Sequence, residues 1–260
     1  MKRHPVLTLA ILFLMLCGLV IPVAATKKKK KQQSWPDLTR INVGNPQLCN
    51  IDGAAQHGTE KAKLNDLKNR FRLPNGSFEP ITFKQLLSMN QGHIDGDTIV
   101  SFPSSSDEGN KKAVILEGYV NRVSVGGCST GESCNCKSQN NAFCDTHIDV
   151  YPDKNSVTSD GHNMFVVEIT QRSRLLAAKN LLSSNIGNDW STATLKPKLE
   201  KHRVRFSGYL YFDTDHSNEA WASDPDDKVK KVDSHGKVTW GNWRQTCWEV
   251  HPVLKIEVLP

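Results

Sequence analysis

Three stretches of this chain alternate ionisable with β-branched or aromatic residues at a period of two. That period confines them to strands with one charged and one apolar face. In Thr246 to Leu259, Glu249 and His251 share a face, while Trp248 and Val250 share the other. Asp145 to Val150 sets His147 and Asp149 opposite Ile148 and Val150, and Phe165 to Thr170 sets Glu168 opposite Val167 and Ile169. A sheet so divided buries its apolar side, and the repetition on three strands points to a site on the other.

The order of elements narrows the fold. Strand patterns run over Ala113 to Val125, Thr146 to Tyr151 and Met164 to Thr170. A helical or irregular stretch follows from Arg172 to Lys201, then strands over Arg203 to Asp213 and Thr246 to Val258. Three strands, a helix and two strands is the order of the OB-fold, a five-stranded Greek-key barrel with its helix between strands three and four. An immunoglobulin-like sandwich needs about seven strands and no such helix. Ahead of the barrel, Leu64, Leu67 and Phe71 sit at helical spacing within Glu60 to Arg72, stopped by Pro74-Asn75-Gly76. A second short helix is expected over Ile81 to Met89 with Thr82 as its cap, and Ser101 to Asn110 reads as a linker. The expected organisation is therefore a leader over 1–25, a basic tether and extended segment over 26–59, and a small helical segment with linker over 60–110. A mainly β, OB-fold-like barrel completes it over 111–260.

The leader reading rests on Lys2 and Arg3, the apolar stretch Val6 to Val20 and the small residues Val23-Ala24-Ala25. Leu16 before Cys17 argues against lipidation. No later stretch is long and apolar enough to span a bilayer, so a secreted or periplasmic product is expected. Without Lys2 and Arg3 the 33 basic residues become 31 against 27 acidic ones; without Lys27 to Lys31 they become 26 against 27. A body so near neutrality lacks the broad basic footprint of a nucleic-acid binder. The lysine run reads as a solvated tether, with weak contact to an anionic surface as its functional alternative.

Six cysteines remain once Cys17 is removed: Cys49, Cys128, Cys134, Cys136, Cys144 and Cys247. An even count in an exported chain favours disulfides, with pairing undeducible and few or no free thiols expected. A zinc knot is the rival, but the single residue between Cys134 and Cys136 is shorter than the usual ligand spacer.

In the barrel order 1-2-3-5-4-1, strand three lies between strands two and five. His147, Asp149, Glu168, Glu249 and His251 then form one outer patch, with Asp213 and His216 beyond strand four and Arg172 beyond strand three at its rim. Two histidines among carboxylates suit a divalent metal such as zinc or manganese. The same mixture suits general acid/base chemistry with Arg172 and Arg244 on an anion. The bland alternative is a set of exposed cross-strand pairs, each contributing about 0.2 to 1 kcal/mol. Trp240 and Trp243 flank a glycine beside Arg244, where an exposed indole can stack a sugar or a base. No P-loop, dinucleotide fingerprint, Gly-x-Ser-x-Gly elbow or His-Glu-x-x-His helix occurs, which removes the commonest nucleotide-binding, serine-hydrolase and zinc-protease readings.

Six motifs carry a resemblance: Leu64-Asn65-Asp66-Leu67-Lys68-Asn69-Arg70, Glu132-Ser133-Cys134-Asn135-Cys136, Asp145-Thr146-His147-Ile148, Val166 to Arg172, Phe212 to Ala220, and Asn242 to Val253. In these the chain resembles a group of functionally uncharacterised exported bacterial proteins. The likeness spans roughly Leu64 to Val258 and departs at Gln171, where proline is expected. It implies one coherent unit and brings no activity with it. The expected function is an exported binding module for a glycan, peptide or nucleic acid, with a divalent metal as its possible cofactor. The alternatives are a metal-dependent, nuclease-like hydrolase, supported by fold analogy alone, and a disulfide-stapled structural domain.

Overall fold

The period-two strands close on themselves. The computed structural model describes residues 35–44, 48–95, 98–126, 128, 131–225, 230–232 and 238–260; the leader and the Lys27 to Lys31 run lie outside them. In chain order the principal elements are α1 (Glu60–Lys68), α2 (Phe83–Leu87), β1 (Ala113–Val125), β2 (Thr146–Tyr151) and β3 (Phe165–Ile169), then α3 (Gln171–Ala178), α4 (Thr192–Leu199), β4 (Arg203–Phe212) and β5 (Trp248–Val258). β1, β2 and β3 pair antiparallel in sequence, with Ile148 against Val123 and Val167. β3 meets β5 in parallel at Val167 and Val250. β4 pairs antiparallel with both β5 and β1, which completes a five-stranded mixed barrel in the order 1-2-3-5-4-1. Closure removes the free strand edges that an open sheet would leave. The fold is the OB-fold-like barrel expected from the order of elements, with two helices rather than one between β3 and β4.

The barrel is filled from the inner face of every strand. Leu116, Val120, Ile148, Val150, Val167, Ile169, Phe206, Leu210, Trp248 and Val250 are buried in one cluster, joined by Leu195 and Leu199 of α4. Gly208 allows β4 and β5 to close at their bulge, because a Cβ there would lie 2.3 Å from the Pro252 carbonyl oxygen. α2 begins as expected: Thr82 accepts from the Gln85 amide while the Gln85 side chain accepts from the Thr82 amide. Its Leu86 joins the core cluster and its Phe83 ring sits 4.4 Å from that of Phe165.

α1 ends at Lys68, earlier than the spacing predicts, because the next residues are used elsewhere. The Asn69 side chain donates to the Ile51 and Cys134 carbonyls, Arg70 donates to the Asn110 and Leu210 carbonyls, and Phe71 packs with Leu38, Ile41 and Leu176. Residues 35–44 and 48–72 thus form a cover on the outside of the barrel wall. The Cys49–Cys136 disulfide ties that cover to the loop before β2, and Cys128–Cys144 closes the loop itself. A loop of about 15 residues closed in this way gains about 3 kcal/mol in the chain-entropy account. Cys134 and Cys247 remain free and buried, so four of the six cysteines pair and few thiols are left, as expected. Among the described residues no helix is long and apolar enough to cross a membrane.

Candidate functional site

The alternation of β2, β3 and β5 sends His147, Asp149, Glu168, Glu249 and His251 out of the barrel, opposite the core residues. Register makes them neighbours: His147 pairs directly with Glu168, and the Val250–Val167 pairing brings Glu249 and His251 alongside. The expected solvent-exposed patch is not what forms. His251 is 0% exposed, Glu249 2%, Asp149 4% and Glu168 9%. The cover supplies the reason: Lys68 lies 2.7 Å from Glu132 and 3.6 Å from Asp213, and Arg70 reaches the His251 carbonyl. The outer face of β2, β3 and the first half of β5 is therefore a second, polar core.

Two chains of ionic contacts meet there. In the first, Arg122 holds Asp149 at 2.8 Å, Asp149 lies 3.1 Å from His147 Nε2, and His147 Nδ1 lies 3.0 Å from Glu168 Oε1. In the second, Arg244 donates to Glu249 Oε2 at 2.9 Å, and Glu249 Oε1 lies 2.9 Å from His251 Nδ1. Glu168 joins the two, since its Oε2 is 3.2 Å from His251 Nδ1. His251 Nε2 then faces the Asp145 carboxylate at 3.6 Å and makes no hydrogen bond, and Asp145 Oδ1 also has no hydrogen-bond partner. Both side chains are fully buried.

The electrostatics follow from that crowding. Burial pulls the two imidazoles down, but the carboxylates outweigh it: Asp149 and Glu168 hold His147 up at about 9, and Glu168 with Glu249 holds His251 at about 9. Burial would raise Glu168, yet His251 and His147 hold it at about 2. Asp145 is the exception. Burial and the Glu132 charge push it up to about 7 against the attraction of His251. Burial also opposes ionisation of Asp213, but Lys68, His216 and Arg244 hold it far below the ordinary carboxylate range.

One ligand atom from each of Asp145, Glu168 and His251 lies within 4.8 Å of the others, a spread that a single cation can bridge. The donor set of one imidazole and two carboxylates suits zinc or manganese. His251 also has the outer support common to metal-bound histidines: one ring nitrogen fixed by a carboxylate, itself fixed by Arg244. Glu168 opens this set to solvent, because with His147, Lys68, Asp213 and His216 it lines a cleft of about 420 Å³. Trp243 stands between the two histidines of that cleft, its ring 5.6 Å from His147 and 5.4 Å from His216, and its indole N–H donates to Glu219. Gly161 at φ +79° admits this placement, since a Cβ there would lie 1.9 Å from the Trp243 carbonyl oxygen.

Of the seven residues expected to bind metal, His147, Glu168, Asp213 and His216 line the cleft, whereas Asp149, Glu249 and His251 stand behind its wall. Arg172, expected at the rim, is 1% exposed and holds the cover in place, donating to the Leu38 and Cys49 carbonyls and to Asn69 Oδ1. Arg244 is equally inaccessible at 0%, occupied by Glu249 and Asp213. Trp243 is half-buried at the cleft; Trp240 ends the strand Val238–Trp240, and its side chain lies outside the described residues. Sequence reasoning missed Lys68, Glu132, Cys134 and Asp145 as site residues. The signal was present, since all four fall inside the motifs, but it takes the folded cover to bring them over β5. No family model matches the chain, and neither a curated protein nor a solved structure matches it significantly.

Proposed function

We propose that this chain is an exported OB-fold-like binding module whose cleft works with a divalent cation held by Asp145, Glu168 and His251. The observation that carries this reading is the fully buried His251 Nε2, which makes no hydrogen bond and faces an equally buried Asp145 carboxylate at 3.6 Å, with the far side of the imidazole fixed by Glu249. A buried polar atom that makes no hydrogen bond is costly, and a metal ion between the two side chains would supply the missing interaction. With the cation bound, part of the carboxylate charge that lines the cleft beside Lys68 and His147 is offset, and a ligand oxygen would have a cation to meet there. The Lys27 to Lys31 tether would add weak attraction to an anionic surface. Two disulfides and the motif resemblance accord with an oxidising, exported setting.

The test is elemental analysis of the purified chain, without a histidine tag, after exposure to zinc, manganese or calcium and removal of the excess. Retained metal that is lost in Asp145→Asn supports the reading, and no retained metal in the folded wild type overturns it. A hydrolytic role is the second reading, favoured by one feature: His147, which keeps its proton to about pH 9, stands in the cleft beside Glu168. A metal polarising an ester with a protonated imidazole alongside is a workable arrangement for metal-assisted hydrolysis. Turnover of bis(p-nitrophenyl) phosphate by the metal-loaded protein, abolished in His147→Gln, would favour it over simple binding.

A further inference from the structure

A second set of ligand atoms lies beside the first and shares one residue with it. Glu132, Cys134 and Asp145 also place one ligand atom each within 4.8 Å of the others. The Cys134 thiol donates to Glu132 Oε1 at 3.0 Å and lies 3.9 Å from Asp145 Oδ2, the same oxygen that stands 3.6 Å from His251 Nε2. Each set reaches the cleft through a glutamate of its own, Glu132 or Glu168, with Asp145 common behind them. Three of the four cysteines between positions 128 and 144 are oxidised; Cys134 alone among them is kept as a thiol and aimed at carboxylates.

Resting on the metal reading above, we propose that the site holds two thiophilic divalent cations of the zinc class side by side, bridged by Asp145. One sits on Glu168 and His251, the other on Glu132 and the Cys134 thiolate. A thiolate with an imidazole and carboxylates selects zinc over calcium or magnesium, which take oxygen ligands.

Burial and the neighbouring carboxylates hold the Cys134 thiol far above its ordinary range, so the free protein keeps it protonated and unreactive. On metal binding the S–H bond breaks, its electron pair becomes the sulfur–metal bond, and the proton leaves by way of Glu132 to water in the cleft.

Cobalt(II) tests this, because thiolate ligation gives a near-ultraviolet charge-transfer band that oxygen and nitrogen ligands do not. The full chain is expected to retain two equivalents and to show the band. Cys134→Ser should halve the retained metal and remove the band, while Cys247→Ser, which changes the other free thiol, should alter neither. One equivalent without the band overturns the two-cation inference and leaves the single-metal reading standing. One equivalent with the band overturns the bridged pair, and no retained metal overturns both readings. Should Cys134→Ser fail to fold, the wild-type stoichiometry and band decide alone.

Discussion

β2, β3 and β5 each have two buried faces, and the two are held by opposite means. Inside the barrel, Ile148, Val167 and Val250 need only shape and apolar area. Outside it, one residue along each strand, His147, Glu168 and Glu249 are almost as inaccessible but are tolerable only while their charges are matched. Burial therefore does not mean apolarity in this molecule. The inner core is indifferent to pH and ions, whereas the outer one is conditional on both, and that conditionality is what a ligand can exploit.

Arg244→Met should separate the two faces most sharply. The change keeps much of the volume but strands Glu249 and Asp213 in a closed site, for which a loss of about 3–5 kcal/mol is expected in chemical denaturation. Adding Glu249→Gln should restore part of that loss, because the amide oxygen still accepts from His251 Nδ1. If the single variant were as stable as wild type, the outer face would not be an ionic core at all.

Proton linkage gives the next largest effect. His147 and His251 have pKa values raised to about 9 from 6.5, so the stability they confer is complete below pH 6.5 and is lost as pH rises through about 9. Asp145, raised to about 7 from 3.8, loses its contribution on the way there. Glu168, lowered to about 2 from 4.5, contributes above pH 4.5 and loses that contribution as pH falls towards 2. Metal-free protein should accordingly melt highest at mildly acidic pH and progressively lower as pH rises from about 6.5 through about 9. Zinc needs deprotonated ligands, so the gap in Tm between zinc-loaded and chelator-treated protein should widen over the same rise. Melting curves across that range check both, and a flat metal-free profile would contradict the ionic account.

How much of this was legible beforehand differs between the faces in the same way. Alternation alone gave the strands and their inner residues, because period two is a local property and Ile148, Val167 and Trp248 declare their side by parity. It also put His147, Glu168 and His251 together, since strand order decides which outer residues are neighbours. What it lacked was the cover. Lys68 and Glu132 lie 64 positions apart and meet through a helix and a disulfide-tied loop whose docking has no periodic signature. Arg172 was misassigned for the same reason: an arginine holding backbone carbonyls of the cover cannot be told by sequence from one awaiting an anion. The cysteine count favoured disulfides without giving their pairing, and only the folded loop shows which thiols stay free and that Cys134 is turned towards carboxylates.

A milder loss is expected inside the barrel. Ile148→Val should cost about 0.5–1.5 kcal/mol by removing one methylene from a close-packed site. That cost should be the same at pH 6 and above pH 9 and with or without zinc, because no titrating group touches the change. A pH-dependent penalty at Ile148 would mean that the two faces are coupled through the β2 backbone rather than independent.

The smallest effect should come from Arg122→Ala at the solvent end of the outer chain. Arg122 is 57% exposed in its side chain while its partner Asp149 is only 6% exposed, so the pair is half in water. Screening limits such a contact to about 1 kcal/mol or less, and added salt should reduce it further. Asp149 keeps His147 as a second partner at 3.1 Å, so the fold should survive with its Tm nearly unchanged. What should move is the proton on His147, since an Asp149 relieved of Arg122 attracts it more strongly. An NMR titration of the imidazole should therefore show its pKa rise in Arg122→Ala, and an unchanged or lowered value would show that the chain from Arg122 to Glu168 does not act as a connected unit.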